Sequence, residues 1–165
     1  MPGLTMRLVL EDIKKLETEA LIVGFYEDVR PLKGLAGELD WLLCGSLSNL
    51  ILTKKVRGSL GDMALLSSQG KVPAPKIFLV GLGQAAGFSL SALQSAARNA
   101  ANAALGAGVS RAAVEYFPSS DAPYDSTVTA LYQGLTEGAK GRSFDVVLLA
   151  SDSDAYENIA RLFKA

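Results

Sequence analysis

"KIFLVGLGQAAGFSLSALQSAARNAANAA", residues 76–104, runs from an apolar stretch through a glycine turn into an alanine-rich segment. The apolar opening is too short for a capped helix and is rich in β-branched and aromatic residues. That composition reads as a strand covered on both faces. Ser89 or Ser91 can cap the following helix, and Gln94 stands three residues after Ser91, the capping-box spacing. Gly106 and Gly108 then end the helix. A buried strand, a turn and a helix in succession are the repeating unit of a layered α/β sheet.

The turn itself raises a second question. Gly81, Gly83 and Ala86 fit the spacing G-x-G-x-x-G/A that binds dinucleotides. In that motif the helix begins inside the turn, so that its first amides meet the pyrophosphate. Here "QAAGF" intervenes, and the caps come several residues late. The motif also asks for an acid at the tip of the next strand, which we expect at 112–117, ending Tyr116-Phe117-Pro118 without one. Gly81 and Gly83 are better read as letting the chain leave a buried strand with unusual backbone angles.

Working outward, "ALIVGFY" (20–26) and "FDVVLLA" (144–150) are unbroken apolar runs of the same kind. "MRLVLED" (6–12) alternates, as a half-buried or edge strand does, and "DMALLSS" (62–68) and "AAVEYF" (112–117) are further strands. Leu35, Leu39, Leu42, Leu43, Leu47, Leu50 and Ile51 keep helical spacing, predicting one helix over 35–53. Further helices are expected over 124–139 and after "SDSD", the last with Tyr156, Ile159, Ala160 and Phe163 inward. The link "SQGKVPAP" is too short for a crossover helix, so strands 62–68 and 76–82 should pair antiparallel. The expected fold is a three-layer α/β/α sandwich on a mixed, mostly parallel six-stranded sheet. One domain should span residues 1–165.

Composition bounds the chemistry. Apolar residues make up 49% and charged ones 20%, a globular balance. With 16 basic and 17 acidic residues, no field of one sign is expected to draw nucleic acid or an anionic membrane. Lys54, Lys55 and Arg57 read as a solvated helix end. The start lacks the pattern of a signal peptide, no apolar run approaches the roughly 20 residues of a membrane span, and a lone cysteine excludes an internal disulfide framework. The expected compartment is the cytoplasm. There is no histidine, which excludes Ser-His-Asp and Cys-His catalysis, HExxH zinc sites and imidazole shuttles.

The remaining candidates have plain readings. Cys44, in "DWLLCGSL", should be an inert small hydrophobe near the apolar stripe of a helix. Asp40 beside Trp41 is a polar face next to an apolar one. Asp152, Asp154 and Glu157 lack the glycine and bidentate glutamate of a calcium loop and read as capping of the last helix. The polar loop "YFPSSDAPYDS" (116–126) sits at a strand end, where α/β sheets often bind ligands.

Two longer stretches carry a resemblance. "TEALIVGFYEDVRPLKGLAGELDWLLCGSLSNLI" resembles the N-terminal domain of the leucine aminopeptidase, or cytosol aminopeptidase, family. "GDMALLSS", "KIFLVGLGQ", "FSLSALQSAARNAANAALGAGVSRAAVEYFP" and "DVVLLASDSDAYENIARLF" resemble its continuation, in order. In that family the two zinc ions belong to a larger C-terminal domain with a signature of the kind N-T-D-A-E-G-R, which this sequence lacks. The resemblance therefore implies a non-catalytic accessory domain, without cofactor or metal. Its expected partner is a separate aminopeptidase catalytic chain or a second copy of itself.

That accessory domain is macro-domain-like, which gives the alternative. "LEDIKKLETEALIV" (10–23) is similar to the macro-domain opening, in which a G-D-I-T-x-L segment precedes a strand ending N-A-A-N. Asp12 and Ile13 match the pair that contacts adenine in ADP-ribose binders, and the turn with Gly81, Gly83 and Gly87 would lie toward the phosphates. Gly24-Phe25-Tyr26-Glu27 stands in place of N-A-A-N, so the ribose-handling asparagine is missing and a glutamate faces the expected diphosphate.

Overall fold

The computed structural model describes residues 3–117 and 122–163. Six strands form one sheet: β1 (Leu4–Val9), β2 (Ala20–Phe25), β3 (Met63–Ser67), β4 (Lys76–Gly81), β5 (Arg111–Glu115) and β6 (Phe144–Leu149). Their order across the sheet is β1-β6-β5-β2-β4-β3, and every pair is parallel except β3 with β4. The expected mixed sheet and its single antiparallel pair are present.

Each central strand is buried on both faces, as its unbroken apolar sequence requires. Ala20, Ile22, Phe78, Val80, Ala112, Val114, Val146 and Leu148 face one core, beneath α3 (Leu90–Gly106), α4 (Tyr124–Ala139) and α5 (Ser153–Phe163). Their neighbours Leu21, Val23, Ile77, Leu79, Ala113, Val147 and Leu149 face the other, beneath α1 (Gly34–Leu42) and α2 (Ser46–Leu52). The strand period of two divides the sequence between the layers.

The helix caps follow the sequence in part. Ser89 Oγ accepts the Ala92 N–H at 3.1 Å and opens α3. Gln94 does not close a box with Ser91, because its amide turns across and donates to the Glu137 carboxylate on α4. Asp152 accepts the Ala155 N–H at 2.8 Å and caps α5, as expected. On α5, Ala155 and Ile159 are buried, whereas Tyr156 and Phe163 are exposed and not inward.

The single helix expected over 35–53 is two. Cys44 and Gly45 both take left-handed angles, with φ of +54° and +86°. Asp40 bridges the break: its carboxylate accepts the Ser48 N–H at 3.0 Å, and its carbonyl accepts the Gly45 N–H at 2.8 Å. The apolar spacing survives because Leu39, Leu43 and Leu47 all reach the core across the bend. Cys44 is therefore not a helical core residue but lies exposed in the turn. β1 starts and ends earlier than read, because Asp12 closes a turn by accepting the Lys14 N–H at 2.9 Å. No single helix among the described residues is long and apolar enough to cross a membrane.

Candidate functional site

The ladder between β2 and β5 stops early. It pairs Ala20 through Ile22 with Ala112 through Val114, whereas β2 stays on β4 to Phe25 and β5 stays on β6 to Glu115. Beyond β2 the chain enters the α1–α2 layer, and beyond β5 it enters α4 on the opposite face. Neighbouring parallel strands whose exits diverge in this way leave a crevice at their carboxyl ends.

Glu115 stands in that gap. One carboxylate oxygen accepts the Gly24 N–H at 3.1 Å, replacing the ladder bond that the splayed strands no longer make. The other accepts the Leu35 N–H at 3.1 Å, in the first turn of α1. Amides there lack partners within the helix and favour negative charge. Gly34, with φ of +60°, makes this approach possible, since a Cβ there would stand 3.0 Å from Glu115 Oε2. Burial still dominates: desolvation pushes the Glu115 carboxyl up to about 7, against the pull of the two amides. Burial, with the Glu115 and Asp28 charges added, raises the Tyr26 hydroxyl as well.

Two cavities meet at this carboxyl. One of about 390 Å³ opens between the ends of β1, β5 and β6 and the start of α1, with Glu11, Asp12, Glu38 and Glu115 on its walls. The second, of about 200 Å³, is walled chiefly by Phe25, Val29, Leu32, Leu82 and Phe117. Gly34, Glu115 and Tyr116 belong to both.

Asp12 and Ile13 line the larger cavity. Ile13 is buried in the core beneath it, and Asp12 holds its own turn and lies 3.7 Å from the Lys14 ammonium. Gly81, Gly83 and Gly87 line neither cavity. Several amides of their turn are taken up by the protein: Gly81 donates to Asp62 O, Leu82 to Phe25 O and Gly83 to Gly58 O. Asp28 Oδ1 accepts the Ala85 N–H at 2.9 Å. A Cβ on Gly81 would stand 2.2 Å from the Ser59 carbonyl, so this glycine allows a close backbone crossing. Of the polar loop 116–126, residues 118–121 lie outside the described residues.

The sequence does not single out Glu115. The run predicts a strand through Tyr116-Phe117, without an acid at its tip, but β5 ends at Glu115. The one available signal was an acid inside an otherwise apolar run, "AAVEYF".

The layered α/β/α fold is shared with macrodomains. The Oceanobacillus iheyensis macrodomain with ADP superposes with a TM-score of 0.75 over 95% of this chain and 88% of that one, at 14% identity. A tomato leucine aminopeptidase mutant gives 0.71 over 96% of this chain but 35% of that one, at 22% identity. Residues 22–144 match the model of the cytosol aminopeptidase family, N-terminal domain, and the chain belongs to that family. A probable cytosol aminopeptidase of Geobacter sulfurreducens is 35% identical over 128 residues, which are 77% of this chain and 25% of that protein. One of Sulfurihydrogenibium is 25% identical over 154 residues, covering 93% and 30%. The chain thus spans about a quarter to a third of the length of these relatives.

Proposed function

We propose that this domain serves a cytosolic aminopeptidase as a non-catalytic accessory module that docks a peptidase catalytic domain or a second copy of itself. The observation that carries the reading is the family match: residues 22–144 correspond to the N-terminal domain of enzymes several times longer. Among the described residues, no three His, Cys, Asp or Glu stand together.

The test is direct. Affinity capture followed by mass spectrometry, together with sedimentation of the purified chain, is expected to return an aminopeptidase catalytic chain or a self-associated species. A partnerless monomer in both experiments would overturn the docking reading.

A second reading, an ADP-ribose or nucleotide binder, draws support from Asp12 and Ile13 on the wall of the larger cavity and from the macrodomain likeness in fold. Calorimetric titration with ADP-ribose separates the two. Heat of binding that disappears in Asp12→Ala would favour the nucleotide; no heat at millimolar ligand would remove it.

A further inference from the structure

We propose that the two cavities joined at Glu115 form one binding site for a small primary ammonium with an apolar body, the ammonium held by the Glu115 carboxylate and the body seated among Phe25, Leu32, Leu82 and Phe117.

The geometry has two parts of unlike chemistry. The smaller cavity is closed in by aliphatic and aromatic side chains, and its size of about 200 Å³ suits a branched aliphatic group or a single ring. Phe25, Leu32, Leu82 and Phe117 are themselves buried, so this wall is built and not a collection of loose surface side chains. Where it opens into the larger cavity, Glu115 stands at the junction. Each of its oxygens takes one backbone N–H, and an ionised carboxylate oxygen can accept two hydrogen bonds. One acceptor position per oxygen is left for a donor in the cleft. An ammonium carries three donors and a full positive charge, the complement of such a group.

The surroundings select by sign. Glu11, Asp12 and Glu38 line the larger cavity with Glu115, and among the described residues no lysine or arginine does, although Lys14 stands 3.7 Å from the Asp12 carboxylate. Among the described residues, Lys33, on the smaller cavity, is the one basic residue lining either. A diphosphate needs the reverse pattern, with free amides and cations. Here the Leu35 amide of the first turn of α1 already binds Glu115, and four glycine-turn amides, of Gly81, Leu82, Gly83 and Ala85, bind carbonyls and Asp28. The neighbouring carboxylates deepen the negative potential inside a low-dielectric crevice, which concentrates cations there. Burial instead raises the Glu115 carboxyl to about 7, so the carboxylate that meets an ammonium predominates only above that pH.

The site is independent of the docking role, so failure of either leaves the other standing. The probes are 3-methylbutylamine, its neutral analogue 3-methyl-1-butanol, and the anionic 4-methylpentanoate, titrated at pH 8 into the isotopically labelled chain. Backbone amide shifts report the result. The amine is expected to move the Gly24, Leu35 and Glu115 amides with at least tenfold lower Kd than the alcohol, and the carboxylate to bind more weakly still. Glu115→Gln should raise the Kd for the amine at least tenfold while leaving that for the alcohol unchanged. Glu38→Gln, on the exposed rim, should weaken amine binding by a smaller factor; it provides the comparison if Glu115→Gln does not fold. Equal binding of amine and alcohol, preference for the carboxylate, no amide shift at tens of millimolar amine, or full amine affinity in a folded Glu115→Gln would each overturn the proposal.

Discussion

Glu115 couples the fold to pH. Its carboxyl is raised from the ordinary 4.5 to about 7 by desolvation, so between those values the folded chain holds a proton that the unfolded chain has released. Stability falls with rising pH wherever the native state binds more protons. The contribution is therefore fully present below about pH 4.5, is lost as pH rises through 7, and then levels off. The shift corresponds to roughly 3 kcal/mol as an upper bound. Melting temperature should decline from pH 5 to pH 8, and Glu115→Gln should flatten the slope. Glu19 does not mask the effect. Backbone amides of Ser110 and Arg111 lower its pKa, so its contribution titrates below 4.5. Tyr26 and Tyr116 are raised above 10 and titrate beyond the other end. A melting temperature that climbs between pH 5 and pH 8 would contradict this account of the gap between β2 and β5. The same residue marks a limit of the sequence: "AAVEYF" shows an acid in a buried strand, but only the splay of two neighbouring strands gives that acid its two amides.

At the level of elements, the close approach of α3 to α4 rests on two glycines. A Cβ on Gly134 would stand 2.3 Å from the Gln94 carbonyl, and one on Gly138 would stand 2.2 Å from the Arg98 carbonyl. Backbone cannot rotate aside as a long side chain can. Gly134→Ala and Gly138→Ala should each force the helices apart, costing about 1–3 kcal/mol of overpacking. The better helix propensity of alanine returns only about 1 kcal/mol. Gly106 on α3 has open space at its Cβ position, so Gly106→Ala should be neutral or stabilising by up to about 1 kcal/mol. Urea unfolding of the three variants checks the order; a Gly138→Ala as stable as Gly106→Ala would refute the close approach. The α1–α2 break makes a second, chemical prediction. Cys44 is exposed in a left-handed turn, so iodoacetamide should alkylate it in the folded chain at a rate close to that in urea. Protection of the thiol would restore the single helix that the leucine spacing suggested. That spacing was legible, but the break was not. The period of Leu39, Leu43 and Leu47 is kept across the bend, and the Asp40 bridge to Ser48 is a tertiary event with no pattern in the sequence.

For the whole molecule, the layer order was readable because each central strand is apolar on both faces and one link was too short for a crossover. Of the residues singled out for a ligand, Asp12 and Ile13 line the larger cavity, while the glycine turn lies elsewhere because amides of that turn close the backbone around Gly58 and Asp62. What covers the outer surface follows from neither pattern, yet the fold supplies a reporter. Trp41 is the only tryptophan in the sequence and is 82% exposed, and Leu52 on the adjoining helix is 79% exposed. A large aromatic left in water carries an unfavourable hydration that docking would relieve, and tryptophan is enriched among residues that dominate interfaces. In the free chain, Trp41 should emit like tryptophan in water and be quenched freely by acrylamide. If the accessory role works through the α1–α2 face, adding an aminopeptidase catalytic chain should shift the emission to the blue and protect it from quenching. Trp41→Ala should then weaken the complex by at least tenfold while leaving the melting temperature unchanged, because the ring contributes almost nothing to the folded core. Complex formation with an unshifted spectrum would move the docking surface to another face, and the exposed edges of β1 and β3 would be the next to mutate, since each strand pairs on one side only.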